Sequence, residues 1–164
     1  MPIFKPADLP AALPPARRLM ALDVGSATVG VAVSDPGLVI ATARAVLKRG
    51  RRFQDVAALL LDLVEEAGVG GFVVGLPRDM SGKEGPRAQA SRAFARNLLM
   101  LADLPLVFWD ERMSTNAVRR TMLEADMSRA KRGQAIDAAA AAFILQGYLD
   151  FLKDSGVASN FAEA

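Results

Sequence analysis

Short apolar runs dominate the first half of the chain, and turn residues separate them. Three of these runs, 19–24, 29–34 and 38–47, are joined by short connections, which predicts an antiparallel meander of three strands. Two later runs, 71–76 and 106–109, each follow a helical segment, and strands joined through helices run parallel by right-handed crossovers. The pattern therefore predicts a mixed sheet of three antiparallel and two parallel strands.

Apolar residues at helical spacing fill the segments between and after the later strands. The first helix is predicted to begin near Phe53 and to stop at Gly68, a residue suited to end it. Three further helices are expected to begin near Pro86, Thr115 and Gln134. The order β-β-β-α-β-α-β-α-α is typical of an α/β fold, here a five-stranded mixed sheet flanked by helices.

The length of 164 residues suits one domain, and a composition of 52% hydrophobic and 23% charged residues is that of a globular chain. Five of the nine prolines lie in residues 1–17, which we predict to be a disordered tail. The folded domain is expected at 18–153 and a second tail at 154–164. No segment resembles a signal peptide or a membrane span, so we expect a cytoplasmic protein.

The chain contains neither cysteine nor histidine. Disulfides and thiolate chemistry are therefore excluded, and acid–base or metal chemistry has to rest on carboxylates, lysines, hydroxyls or water. The net charge is only +2, but two basic clusters could neutralise phosphates, with solvated surface side chains as the alternative. The clusters are Arg44, Lys48, Arg49, Arg51 and Arg52, and then Arg112, Arg119, Arg120, Arg129, Lys131 and Arg132.

Four acidic residues stand where burial is expected. Asp23 ends a strand that is expected to be central, and Asp110-Glu111 ends the last strand. Asp137 lies on the apolar face of the last helix, since the residues three, four and seven positions further on are apolar. The alternatives are a turn cap, surface acids, and dipole stabilisation at a helix start. Adjacent strand residues point to opposite faces, so only one of Asp110 and Glu111 is expected to share a site with Asp23.

Carboxylates from three separate elements, without histidine, suit cations such as Mg²⁺ or Mn²⁺ rather than zinc. Two such ions about 4 Å apart can activate water and stabilise the leaving oxygen in phosphodiester cleavage. Two other features are less specific. Ser114-Thr115 could bind phosphate or cap a helix, and the stretch from Gly75 to Lys83 could be a phosphate-contacting loop or an ordinary one.

Four blocks follow one another between Leu19 and Leu152 at the spacing of a known family. They are Ala21–Gly25 with Gly30–Asp35; Val73–Pro77 with Met80, Gly82 and Gly85–Ala88; Asp110–Arg112 with Ser114, Thr115 and Ala117; and Lys131-Arg132 before Ile136-Asp137, Ala139-Ala140, Ile144–Gln146 and Tyr148–Asp150. Together they resemble the YqgF family, also called RuvX. The resemblance implies an RNase H-like fold and a metal-dependent, Holliday-junction-resolvase-like nuclease that is viewed as acting on pre-16S rRNA.

The resemblance also implies roles for individual residues. The family's first-strand Asp, its Asp-Glu-Arg motif and its last-helix Asp match Asp23, residues 110–112 and Asp137. We therefore take Asp23, Glu111 and Asp137 as catalytic residues and as ligands of one or two Mg²⁺ or Mn²⁺ ions, with Glu111 preferred to Asp110. The residues expected to position nucleic acid are Lys83, Arg87, Arg112, Ser114, Thr115, Lys131 and Arg132. Asp79 stands where the family has Asn, and the effect of its added charge is open.

The expected activity is hydrolysis of phosphodiester bonds in the processing of pre-16S rRNA. Cleavage of Holliday junctions is the alternative, because nothing in these residues distinguishes ribose from deoxyribose, and endo- and exonuclease action both stay open. A non-catalytic RNA- or ribosome-binding module is the rival of another class, whereas an ATP-binding protein of the actin and sugar-kinase type would need two such domains. The expected partners are structured RNA or branched DNA and ribosomal precursors, with a homodimer as one option and no membrane.

Overall fold

The computed structural model describes residues 2–78, 81–113 and 129–156, and for residues 129–137 it describes the backbone alone. The strands are β1 Ile3–Phe4, β2 Arg18–Val24, β3 Thr28–Ser34, β4 Ala41–Lys48, β5 Val69–Leu76 and β6 Leu106–Asp110. The helices are α1 Phe53–Ala67, α2 Pro86–Leu101 and α3 Arg129–Asp154, with short 3-10 turns at Leu9–Ala12 and Glu111–Met113.

The strands of the described residues form one mixed sheet in the order β1-β6-β5-β2-β3-β4. The hairpins make β2, β3 and β4 antiparallel, while β5 pairs parallel to β2 and β6 parallel to β5. This arrangement confirms the predicted α/β class and the central place of β2. The sheet has six strands rather than the predicted five, because β1 adds a parallel strand beside β6.

The N-terminal segment differs from the disordered tail that we expected for residues 1–17. Ile3 and Phe4 pair with the start of β6, and Leu9 is fully buried in the core. The Tyr148 hydroxyl of α3 donates a hydrogen bond of 2.6 Å to the carbonyl oxygen of Pro6. Proline lacks an N–H but keeps its carbonyl acceptor, so a proline-rich segment can still pack where it only accepts hydrogen bonds.

Two hydrophobic cores lie on opposite faces of the sheet. One is formed with α3, which packs against β2, β3, β4 and β5 and contributes Ala141, Leu145 and Tyr148. The other is formed with α1 and α2, which contribute residues such as Leu60 and Leu98. Alternate residues of β2 and β5 enter the two cores, because successive strand side chains point to opposite faces. We call these two sides of the sheet the α3 face and the α1/α2 face.

Local signals explain most helix ends. Gly68 ends α1 in the left-handed conformation, with φ of 67°, and Pro86 occupies the first turn of α2. The helix α3 begins at Arg129, five residues before the predicted start, and ends at Asp154. The helix predicted from Thr115 and most of the C-terminal tail lie outside the described residues. Among the helices that are described, none is long and apolar enough to cross a membrane.

Candidate active site

The carboxyl ends of three neighbouring parallel strands meet at one edge of the sheet. In β2 and β5, Leu22 lies opposite Val74, so the next residue, Asp23, is level with Gly75. In β5 and β6, Leu76 lies opposite Asp110. Both predicted strand-end acids are therefore brought to the same edge, where ligands gather in open α/β sheets. We call it the carboxyl edge.

Strand alternation assigns these residues to faces. Ala21 belongs to the core on the α3 face, so Asp23, two residues further along β2, lies on that face as well. Trp109 also packs in that core, so the following residue, Asp110, lies on the α1/α2 face. The first two acids thus share an edge but not a face, and both are half-buried.

Glu111, two residues after Trp109 and in the 3-10 turn that follows β6, lies on the α3 face. Its Oε1 atom lies only 2.8 Å from the point where a Cβ on Gly75 would stand. Ile144 of α3 lies against the same point, with its Cγ1 atom 3.1 Å away. The carboxylate of Glu111 is therefore seated over a strand glycine, between the sheet and α3, on the face that Asp23 shares.

Asp110 is instead committed to Arg112. The Arg112 guanidinium donates to both carboxylate oxygens, with an Nη2–Oδ2 distance of 2.6 Å, and the Arg112 backbone N–H donates to Oδ1 at 2.9 Å. The Arg112 hydrogen bond is the main reason why the pKa of Asp110 lies below its ordinary value, and the Arg78 charge lowers it further. Glu111 is the better candidate ligand of the two because it lies on the same face of the sheet as Asp23, whereas Asp110 does not.

Asp137 lies in the backbone of α3, seven residues before Ile144. Residues seven apart fall on the same side of a helix, two turns from each other. The side chain at 137 is outside the description, so a ligand set of Asp23, Glu111 and Asp137 stays a prediction. Among the side chains that are described, no group of three His, Cys, Asp or Glu residues could hold a metal ion.

Glu84, in the connection from β5 to α2, forms a network with two arginines. It pairs with Arg92 of α2 at 2.5 Å and with Arg78 at 3.4 Å. The hydrogen bond from Arg92 is the main reason why the pKa of Glu84 lies below its ordinary value, and the charge of Arg78 lowers it further. Gly82 lies against the Arg112 guanidinium, with the site of a Cβ 3.7 Å from Nη1. Sequence reasoning missed this network, since nothing in the spacing of these residues indicates that Glu84 reaches both arginines.

The residues predicted to bind nucleic acid fall into two groups. Lys83 and Arg87 are exposed beside the carboxyl edge, and Arg112 is exposed there while paired with Asp110. The others lie outside the described side chains, and so does Asp79; they are Ser114, Thr115, Lys131 and Arg132. Gly75 was predicted to lie in the strand 71–76 and at the start of a loop, but the sequence analysis drew nothing from it, although a glycine inside a buried strand signals the close approach of another group.

Comparison with a solved structure defines the class of the fold. The chain is similar to Thermus thermophilus RuvC, solved in complex with a Holliday junction substrate, with a TM-score of 0.56, 14% sequence identity, and coverage of 82% of this chain and 96% of that one. At this identity the likeness shows the fold alone, and it confirms the predicted RNase H-like class.

Sequence comparison then shows the family. Residues 17–151 match the family model described as RuvX: Holliday junction resolvase. A relative from Paramagnetospirillum magneticum is 53% identical, covering 92% of this chain and 96% of its own length. One from Mesorhizobium japonicum is 57% identical, covering 88% and 87%. Both are named as candidate pre-16S rRNA nucleases. The chain therefore belongs to the RuvX family of resolvase-like nucleases, which confirms the predicted family and enzyme class.

Proposed function

We propose that this protein hydrolyses phosphodiester bonds at the carboxyl edge of its sheet, with Asp23, Glu111 and Asp137 as the catalytic carboxylates. The observation that carries the proposal is the Glu111 carboxylate seated over Gly75, on the face shared with Asp23. Both acids are half-buried at the carboxyl ends of parallel strands, which is where ligands gather in open α/β sheets.

A divalent cation, Mg²⁺ or Mn²⁺, fits this donor set, because the candidate ligands offer carboxylate oxygen alone and the chain has no histidine or cysteine. When bound, the cation would supply charge neutralisation at the phosphate and a lower pKa for the attacking water. Glu111 would hold it from the α3 side of β6 and Asp23 from the end of β2. Asp110 keeps Arg112 in place instead, so that its guanidinium can orient the phosphate backbone beside Lys83 and Arg87.

The substrate we propose is precursor 16S rRNA. The names of relatives that are 53% and 57% identical over nearly their whole length support it. Branched DNA is the second candidate, because the family model is described as a Holliday junction resolvase and the RuvC structure holds such a junction. A fold that binds RNA without cleaving it is the third outcome. The cytoplasmic location, binding to ribosomal precursors and the homodimer stay predictions.

The test uses the full chain with a labelled precursor 16S rRNA transcript and, separately, a four-way DNA junction, each with Mg²⁺ or Mn²⁺. The Asp23→Asn, Glu111→Gln and Asp137→Asn variants should each lose about 100-fold or more in kcat/KM, the loss expected when several kcal/mol of transition-state stabilisation disappears. Asp62→Asn, which alters an exposed carboxylate of α1, is the matched control. A folded Asp23→Asn variant that cleaves at the wild-type rate would refute the proposal.

A further inference from the structure

The segment from the last residue of β4 to the start of α1 carries four cationic residues in five positions and lies at the carboxyl edge. Lys48, the last residue of β4, is opposite Thr28, the first residue of β3. Val29 in turn is opposite Val24, the last residue of β2. The basic loop, residues 48–52, therefore lies two strands from Asp23 on the same edge, although the two segments are far apart in the sequence.

Arg49 fixes this basic loop to the elements around the site. Its Nη1 atom donates a hydrogen bond of 2.8 Å to the carbonyl oxygen of Gly25, and its backbone N–H donates one of 2.9 Å to Ala27. The same guanidinium stands over the ring of Phe94 in α2, 5.2 Å from its centroid. One arginine thus holds the loop against the turn that follows Asp23 and against α2, so the loop is preorganised.

The neighbours of Arg49 keep their charges exposed to solvent. Lys48, Arg51 and Arg52 are exposed, and of these three Arg52 alone forms an ion pair within the described residues, with Asp55 at 3.6 Å. In contrast, Arg44 of the same basic cluster pairs with Glu66 at 2.9 Å. The helix α1 starts immediately after the loop, without a side-chain cap at Arg52, and its N-terminus adds partial positive charge. The loop therefore concentrates positive charge at the edge.

We propose that Lys48 and Arg51, on a loop held by Arg49, bind phosphates of the nucleic-acid substrate about three nucleotides from the scissile bond. This proposal rests on the proposed nuclease function. Two strand spacings place the loop about 10 Å from Asp23, and phosphates along one strand of a duplex advance about 3.4 Å each. Lys83 and Arg87 lie beside the ends of β5 and β6. The substrate strand would therefore pass over the carboxylates with the basic loop on one side and these two residues on the other.

The binding test compares two double variants of equal charge. Lys48→Gln/Arg51→Gln removes the proposed contacts. The control, Arg17→Gln/Arg96→Gln, removes two exposed charges near the opposite edge of the sheet. Arg17 precedes β2, and Arg96 lines a cavity with Pro2, whose carbonyl oxygen accepts a hydrogen bond from the first residue of β6. The probe is a fluorescein-labelled hairpin fragment of precursor 16S rRNA, which presents a duplex, and its anisotropy is followed in EDTA over a salt series.

Losing two phosphate contacts to a duplex should reduce the slope of log Kd against log salt by about 1.8, which corresponds to roughly 60-fold weaker binding at about 0.1 M salt. The control should change the slope by less than half of that. Equal slopes in the two variants, or a wild-type slope in Lys48→Gln/Arg51→Gln, would overturn the proposal. Because the probe stays uncleaved in EDTA, this result is independent of whether the protein is a nuclease.

Substrate length gives the second readout. With a full-length precursor fragment and Mg²⁺ or Mn²⁺, Lys48→Gln/Arg51→Gln should raise KM about as much as it raises Kd, while the control variant keeps its KM. Trimming the substrate from one end, to within about two nucleotides of the scissile bond, should abolish the difference between variant and wild type, because the contacted phosphates are gone. A difference that survives trimming from either end contradicts the placement. Absence of wild-type cleavage refutes the proposed function alone.

Discussion

Replacing Gly75 by alanine tests whether catalysis depends on the position of the Glu111 carboxylate against Gly75. The new Cβ would stand 2.8 Å from Glu111 Oε1 and 3.1 Å from Ile144 Cγ1, with Ile144 Cδ1 closer still. Real Cβ atoms essentially never come within 3.0 Å of a non-bonded heavy atom, and a contact between 3.0 and 3.4 Å is tighter than nine in ten real Cβ contacts. The carboxylate therefore has to retreat by roughly half an ångström. The backbone itself permits alanine, because Gly75 is not in a positive-φ conformation.

Gly75→Ala is expected to impair catalysis at a cost to stability that a folded domain can tolerate. A displacement of about 1 Å in a reacting group can lower the rate about 100-fold, so Gly75→Ala should reduce kcat/KM by roughly 10- to 100-fold. Overpacking of a filled core costs about 1–3 kcal/mol, and the lower chain entropy of alanine offsets about 0.4–1 kcal/mol of that. The variant should stay folded and cleave poorly.

The assay is cleavage of labelled precursor 16S rRNA beside urea unfolding of each variant. Adding Ile144→Val removes the Cδ1 atom, so Gly75→Ala/Ile144→Val should regain stability while the carboxylate stays displaced and cleavage stays slow. Gly85→Ala is the control, because no atom lies within 4 Å of its added Cβ. Wild-type cleavage by Gly75→Ala would show that Glu111 does not depend on this seat.

Three further predictions concern the frame of the site. Tyr148→Phe removes the hydrogen bond to Pro6 and should lower the free energy of unfolding by about 1 kcal/mol in urea, with faster hydrogen exchange in β1. Arg112 holds the pKa of Asp110 below its ordinary 3.8, so this ion pair stabilises the fold above that pH and is lost as the pH falls through the lower native pKa. The difference in free energy of unfolding between wild type and Asp110→Asn should therefore shrink as the pH is lowered below 3.8. Asp35→Ala loses two backbone N–H hydrogen bonds of 2.7 and 2.8 Å and should cost about 1 kcal/mol in thermal unfolding.

The regular elements were predictable wherever local pattern and burial agree. The meander, the two parallel strands, both ends of α1 and the start of α2 follow from period-two and helical patterns, from the stop at Gly68 and from Pro86. The strand Ile3–Phe4 was not predictable, because two residues carry no period and their pairing partner lies about a hundred positions away. Buried Leu9 was hidden in the same way, since proline-rich composition outweighed one leucine.

The candidate site was predictable in its residue types but not in its pairing. The position of Asp23 at the carboxyl edge could be predicted from a carboxylate at the end of a central strand. The preference for Glu111 over Asp110 came with the family resemblance and stays a prediction, whereas the hydrogen bonds between Asp110 and Arg112 leave no pattern in the sequence. The basic loop was recognised as a cluster, yet its place beside Asp23 needed the register of three strands.

The attachment of the N-terminal segment has a practical consequence for anyone shortening this protein. Deleting residues 1–17, because their prolines suggest a disordered tail, would remove β1 and turn β6 into an exposed edge strand. The unpaired backbone N–H and C=O groups of β6 could then pair with a strand of another molecule. It would also leave a hole where Leu9 was, a loss of about 2–5 kcal/mol. Such a truncated protein would be expected to aggregate during purification, and its inactivity would not be evidence about catalysis by the full chain.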